Sequence, residues 1–513
     1  MSNSSQPPQG SSLENPSKLG ITQWLVLAVA AIGFLFDTYE LLMTPLVLAP
    51  ALSELLGVPP NHPDVTSWVG RVLWMTALCG GFFGLLGGML IDRFGRKTVM
   101  VASIFIYSFS PVLAGLSTSL EWLIFFRCTT FVGVCVEFVA AVTWLAELFP
   151  DKRIRELAIG WTQAFASVGG LLVTAVSALI TSLAAQGKLP DLPGEISNAP
   201  WRYTLMTGLL PAIPIALLLP FVPESQVWKQ RKLAGTLGRP SFKELFSPAL
   251  ARTTIVATLL SACAYAAAFG TLQATVTQGV PGLPVERLDE PRKEMGKLTK
   301  ANAVITKELA DLEKDSDKSK DLNKTLLGNL KAMGKINKEK IQPERERVQF
   351  QQELGGLGGR ILLALALGYI VSRRRILQLF QLPGLVTIPL VWFWVYFQQP
   401  EYFAWGVFLA GVFTVAQFSY FGEYLPKVFP MHLRGTGGSF ATNIGGRMFG
   451  TSAALLTTNI LAPNLGLLSP NLAALNTFEK VTIAAGIVGT VVFAIGLLLS
   501  FFLPEPPREE SHS

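Results

Sequence analysis

Apolar runs recur along the chain, parted by short polar loops, and each is long enough to cross ~30 Å of hydrocarbon as a helix. The pattern predicts twelve such helices, at 22–50, 68–91, 98–116, 120–148, 157–185, 201–222, 252–278, 356–372, 376–397, 402–425, 436–462 and 478–503. Residues 279–355 break the rhythm: they carry acids and bases in near balance and hold no span. Within them, Leu298, Ile305, Leu309 and Leu312, then Leu322, Leu326, Leu330, Met333 and Ile336, repeat at helical spacing on either side of "DSDKSK" at 315–320. That spacing predicts two amphipathic helices meeting along one stripe. Residues 1–19, rich in Ser, Pro, Asn and Gln, read as a disordered tail, and 507–513 as a short tail at the other end. No basic n-region with a cleavage site precedes the Trp24 run, so it reads as a retained span.

Composition agrees with a polytopic membrane protein. Of 513 residues, 50% are hydrophobic and only 15% charged, with a mean hydropathy of +0.43; a soluble chain of this length would carry more charge. The net charge of +7 is a property of loops and gives no reason to expect a nucleic-acid partner. One set of short loops holds Arg93, Arg96 and Lys97; Lys152, Arg153 and Arg155; Lys229, Arg231, Lys232, Arg239 and Lys243; and Arg373, Arg374 and Arg375. The alternate loops, such as 51–67 and 398–401, hold almost none. Positive loops stay inside, so both termini are expected in the cytoplasm of a plasma (inner) membrane, with the 279–355 insert on the far side.

The chain reads as a duplication. "LLLPFVPES" at 217–225 returns as "LLSFFLPEP" at 498–506, "ELFP" ending at Pro150 as "KVFP" ending at Pro430, and "GMLIDR" from Gly88 as "GYIVSR" from Gly368. Every pair is offset by 280 or 281 residues, whereas spans one and seven are only about 230 apart. The extra length therefore entered between spans seven and eight. The expected organisation is a six-helix half at 20–224, a cytoplasmic linker at 225–250, and a second half at 251–506 interrupted by the insert. The membrane core has its full set of helices without the insert, whose stripe must pair within itself or with an extracytoplasmic partner.

Candidate chemistry starts in span one, where "GFLFDTYELLMTPLV" at 33–47 carries Asp37 and Glu40 one turn apart. A carboxylate at the bilayer centre costs ~2.5–3.5 kcal/mol on insertion scales, so two of them mark function. Polar residues able to line a midplane cavity are Gln163, Gln273, Gln417, Tyr420, Asn443 and Arg447, with Trp392 and Trp394 offering flat surfaces. Arg360 in "GGLGGRILL" makes a similar claim. Cys79, Cys128, Cys135 and Cys263 fall within spans and lack metal-ligand spacing. The three histidines are dispersed, and there is no Walker-type loop. These features predict neither a metal, a cofactor nor an enzyme.

"GGMLIDRFGRKTV" at 87–99 resembles the signature of the major facilitator superfamily, at Gly88, Leu90, Asp92, Arg93, Gly95, Arg96 and Lys97. The resemblance implies an all-α membrane protein of twelve transmembrane helices in two six-helix halves, here with an extracytoplasmic helical insert between helices seven and eight. It also implies a conformational latch at this turn, joined by Glu147, Arg155 and Arg434. "RCTTFVGVCVEFVAAVTWLAELFPDKRIRE", from Arg127, looks like span four of sugar porters and organic-acid:proton symporters, through Arg127, Gly133, Glu137, Glu147, Pro150 and Arg155. "DTYE" at 37–40 is similar to the D-G-[FY]-D of aromatic-acid:proton symporters. By that resemblance Asp37, Glu40, Arg127 and Glu137 would handle protons. A buried acid can exchange one when a conformational change alters its partner or hydration. The Gln pair of hexose carriers is missing from span seven, and their span-five Gln aligns with Gly170.

The function so implied is secondary active transport of a small organic acid or related metabolite by alternating access, coupled to protons. The alternatives are a sugar or drug facilitator or antiporter without proton coupling, and a non-transporting sensor or scaffold.

Overall fold

The computed structural model describes residues 20–58, 62–149, 152–194, 196–210, 212–218, 221–235, 242–310, 317–430 and 433–506. Both expected tails, Pro150 and Leu312 lie outside them. Among the described residues all regular structure is helical, and nine stretches are long and apolar enough to cross a membrane.

The chain opens with α1 (Ile21–Leu56), α2 (Pro63–Phe94), α3 (Arg96–Gly115), α4 (Leu120–Leu148) and α5 (Lys152–Ala185). Short helices α6 (Pro200–Met206), α7 (Ala212–Leu218) and α8 (Gln226–Leu233) follow, then α9 (Ala251–Ala266), which continues in wider π-type turns to Gly279. Helix ends are set by local chemistry. Gly57 closes α1 in the left-handed region at φ 64°. Ser119 accepts from the Trp122 N–H to start α4.

Beyond α9 come α10 (Glu286–Ala310), α11 (Asp317–Ile336), α12 (Gln342–Tyr369), α13 (Arg373–Pro389), α14 (Phe403–Val428), α15 (Arg434–Ser439), with π-type turns to Gly450, and α16 (Thr477–Ser500). Asn476 and Glu479 form a reciprocal capping box at the start of α16, with both bonds 3.0 Å long. Buried apolar side chains gather into one large cluster drawn almost wholly from Val26–Val222 and into others built between Leu245 and Leu503. The two sets meet across a polar seam. Spans expected at 201–222, 356–372 and 436–462 do not reach the apolar length of the nine. In the first, Pro200–Met206 passes into a 3-10 turn at Thr207–Leu209, and residues 211, 219 and 220 lie outside the described ones; the second is diluted by polar residues and the third by π-type turns.

The insert holds α10 and α11, packed side by side. Met295, Met333 and Ile341 are buried between them, flanked by Leu298 and Ile336. The Asn329 amide donates to the Asn302 carbonyl oxygen at 2.8 Å. At the base, Arg287 pairs with Glu344 at 2.8 Å and Glu401 at 2.5 Å, and those carboxylates hold its guanidinium above the ordinary range.

The expected insert boundary at 355 falls inside α12, which starts at Gln342. Residues 342–355 pack against α5 and α14 as the outer part of a buried helix. Hydropathy misses them because their buried face is polar: Gln342, Glu346, Gln349 and Glu353 are each at least 93% buried. Moreover α11, the turn Asn337–Ile341 and α12 run without a break, so one helical rod leads from the insert into the bundle.

Candidate functional site

The two acids of α1 face different partners. Asp37 Oδ2 accepts from Arg447 Nη2 at 3.0 Å, an ion pair joining the first helix to the turns after α15. Both side chains are almost fully buried. Arg447 is held further by the Val134 carbonyl, 3.2 Å from Nη1, and lies over the Phe138 ring at 5.0 Å. Its guanidinium thus belongs to the later part of the chain and docks on α1 and α4.

Glu40 pairs with Arg127 of α4, Oε2 to Nη1 3.6 Å. Arg127 Nη2 also donates to the Glu40 carbonyl at 3.2 Å and to the Thr44 hydroxyl. Every partner here comes from α1 and α4. Glu137, also on α4, is fully buried, and neither carboxyl oxygen has a hydrogen-bond partner among the described residues. It fits only because residue 33 is glycine: a Cβ there would stand 2.3 Å from Glu137 Oε1.

Asp37 and Arg447 share the wall of a cavity of about 100 Å³. Gln273, Gln352, Glu353 and Arg360 bring further polar groups, and Phe34, Phe138, Tyr265, Phe269, Phe418 and Phe421 line the rest. Glu353 accepts from Gln352 Nε2 at 2.8 Å. A Cβ on Gly170 would lie 2.3 Å from Glu353 Oε2. The carboxylate of α12 therefore occupies the space that a side chain on α5 would take.

Above the cavity, the polar face of α12 seals the seam. Gln349 Nε2 donates to the Leu42 carbonyl at 3.2 Å, and Gln342 Nε2 to that of Leu46 at 3.4 Å. Glu346 Oε1 accepts from Ser177 at 2.7 Å and Thr181 at 3.0 Å, both on α5. Such bonds to a buried carboxylate are the stronger kind, about 1.5–3 kcal/mol each.

The other expected ligand contacts are distributed less centrally. Trp392 is buried and donates its ring N–H to Thr275 at 2.7 Å. Gln417 bonds the Phe413 carbonyl at 3.0 Å, and Tyr420 stacks on Tyr424. Asn443 bonds Ser439 at 3.1 Å. None of the four lines the cavity, whereas Gln273 and Arg447 do. The Gln163 side chain lies outside the described residues, as do those of Asp92, Arg155 and Arg434.

At the turn between α2 and α3, Arg96 donates to both Glu147 oxygens, the shortest bond 2.8 Å. Ser225 adds its hydroxyl to Glu147 at 2.5 Å. Glu224 accepts from the N–H groups of Arg96 and Lys97 at 2.9 and 3.1 Å, neutralising the positive end of α3. Gly95 permits this, with φ 98° and no Cβ to strike Glu224. Arg93 is exposed over Phe94 at 5.4 Å, and Gly88 has open space beside it.

The arrangement is repeated later in the chain. Glu505 accepts from the Arg373 and Arg374 N–H groups at 2.9 and 3.1 Å, and Arg373 pairs with Glu423 at 3.0 Å. Sequence reasoning misses Glu224, Glu423 and Glu505, although the doubled "PES" and "PEP" segments point to two of them. Glu346, Gln349 and Glu353 fall within the insert as the sequence bounds it, at 279–355.

A family model described as Major Facilitator Superfamily matches residues 25–291. The sialic acid transporter NanX of Escherichia coli (strain K12) is 27% identical over 204 residues, 40% of this chain and 44% of that protein. The 4-hydroxybenzoate transporter PcaK of Pseudomonas aeruginosa is 31% identical over 213 residues, 41% of this chain and 42% of that one. The chain spans about half the length of the curated relatives it matches. In fold, it resembles the partially occluded inward open conformation of the xylose transporter XylE from E. coli, with TM-score 0.61, 15% identity, and coverage of 95% of this chain and 99% of that one.

Proposed function

The chain belongs to the major facilitator superfamily, and on that premise we propose that it is a proton-coupled carrier of a small organic acid. It is an integral, multi-pass membrane protein. Our reading places twelve helices in two halves, both termini in the cytoplasm of the plasma membrane, and the insert outside it. The observation that carries the functional reading is the Asp37–Arg447 pair in the wall of a cavity between the halves.

Alternating access rocks one half against the other around a midplane site. Glu40 and Arg127 lie in the same half and travel together, whereas Asp37 and Arg447 must separate or re-form. A buried carboxylate that loses its cation is costly, as is an uncompensated guanidinium. A substrate carboxylate can take Arg447 in place of Asp37, and Asp37 then sheds its charge by binding a proton. The exchange keeps the interior neutral, linking one proton to one anion. The aromatic walls suit a flat or apolar body, and relatives named for 4-hydroxybenzoate and cis,cis-muconate support that class.

The turn networks at Arg96–Glu147 and Arg373–Glu423 act as matched latches at the cytoplasmic end, with Asp92, Arg155 and Arg434 as further members. The test is uptake into proteoliposomes of 4-hydroxybenzoate, cis,cis-muconate, nicotinate, sialic acid and D-xylose, with and without an inward proton gradient. Gradient-driven accumulation of a carboxylate supports the reading; gradient-independent equilibration, or uptake of xylose alone, overturns it.

A further inference from the structure

A second cavity, of about 490 Å³, lies beyond the seal that closes the central one. That volume falls within the range of sites that hold small ligands. Its floor is the seal itself, since Gln342, Ser177 and Thr181 line it while binding Glu346. One wall is α1, with Leu46, Val47 and Pro50, and α6 contributes Trp201. The roof is α11 of the insert, through Leu327, Leu330 and Lys331, with Lys338 of the following turn Asn337–Ile341.

Two features of the roof are unusual for a charged helix. Met333 and Ile336 of the apolar stripe pack on α10, but Leu327 and Leu330 turn to the cavity instead, and Leu327 stays 59% exposed. An apolar side chain so held has surface left for another body. The charges also differ in their satisfaction. Glu54, the acid of the lining, is already bound by Arg202 at 2.8 Å, the Trp201 ring N–H at 2.8 Å and Ser197 at 2.6 Å. Lys331 has no ion-pair partner among the described residues, and Lys338 binds only the Ala184 carbonyl and not an acid. The cavity is therefore electropositive on one side and apolar on the other.

We propose that this vestibule is an outer binding site for an organic monocarboxylate, its carboxylate on Lys331 and Lys338 and its apolar body against Leu46, Val47, Leu327 and Leu330. The occupant is the transported anion, held by the insert before the seal opens, so the assignment rests on the carrier reading above. A cation at the mouth raises the local anion concentration and the capture rate. The insert is then part of the transport path.

The experiment uses purified full-length protein carrying Leu327→Cys, labelled with a maleimide, and benzoate as the probe at about 10 mM. Benzoate should slow labelling about threefold, both with the native central site and with Arg447→Gln. The protection should vanish with Lys331→Glu. Absence of protection, its loss with Arg447→Gln, or its persistence with Lys331→Glu each overturns the site. Labelling needs no transport, so it and the proteoliposome assay fail separately. In vesicles that take up benzoate, Lys331→Glu should raise the half-saturating concentration about tenfold at unchanged maximal rate; a lowered maximal rate alone also overturns it.

Discussion

Asp37 and Arg447 stand 410 residues apart in the chain and 3.0 Å apart in the fold, while Glu40, one turn from Asp37, is paired entirely within α1 and α4. The two acids of span one should therefore respond differently. Asp37→Asn should abolish proton-driven accumulation yet keep substrate counterflow, measured in the same proteoliposomes. Glu40→Gln should chiefly lower thermal stability. Breaking a buried pair costs about 3–5 kcal/mol, and Asp37→Asn with Arg447→Gln together should cost less than the two singles combined. Equal uptake profiles for Asp37→Asn and Glu40→Gln from pH 5.5 to 8 would contradict this division.

Gly170 is expected to be sensitive to a single methyl. Gly170→Ala places a Cβ 2.3 Å from Glu353 Oε2, so the carboxylate must move into the central cavity. Uptake should fall at least tenfold, and Gly170→Ala with Glu353→Ala should regain part of it by returning the space. A Gly170→Ala protein with parental kinetics would show that Glu353 has room to spare.

Glu147→Gln should weaken the turn network by about 1.5–3 kcal/mol, the cost of a charge-assisted bond. Cysteine accessibility at the end of the bundle that holds these turns should rise. Glu423→Gln should do the same from the other half, because Arg373 stands to Glu423 as Arg96 does to Glu147. Unchanged accessibility in both would leave these pairs as static helix fastenings.

Arg287→Ala should loosen the insert at its base. The arginine ties α10 to both Glu344 of α12 and Glu401. Amide hydrogen exchange across 286–310 should quicken, with that across α12 little altered. Uniform exchange in parent and variant would assign the anchoring to the Met295–Met333 contact instead.

Much of this molecule was legible in its sequence. The span pattern and family signature foretold a helical facilitator, which the family match bears out, and Asp37 and Arg447 were both singled out. That they meet is not legible there, because no local spacing links residues 410 positions apart. Span eight was misplaced for a definite reason. Its outer part buries Glu346, Gln349 and Glu353 against hydroxyls and backbone carbonyls, so periodicity survives while hydrophobicity disappears. Trp392 shows the converse, since polar atoms within apolar spans are often satisfied by neighbouring helices, here the Thr275 hydroxyl.

The unbroken run from Asp317 to Tyr369 has a mechanical consequence. At 1.5 Å per residue it is a beam roughly 80 Å long, with its inner portion clamped in the bundle. The portion outside the clamp, Asp317–Ile341, is about 37 Å long, so a tilt of about 10° at the clamp swings the free end by roughly 7 Å. Rocking of one half, too small to read easily inside the membrane, is thereby magnified where it can be seen, and a pull on the free end is returned to the seal with the same leverage.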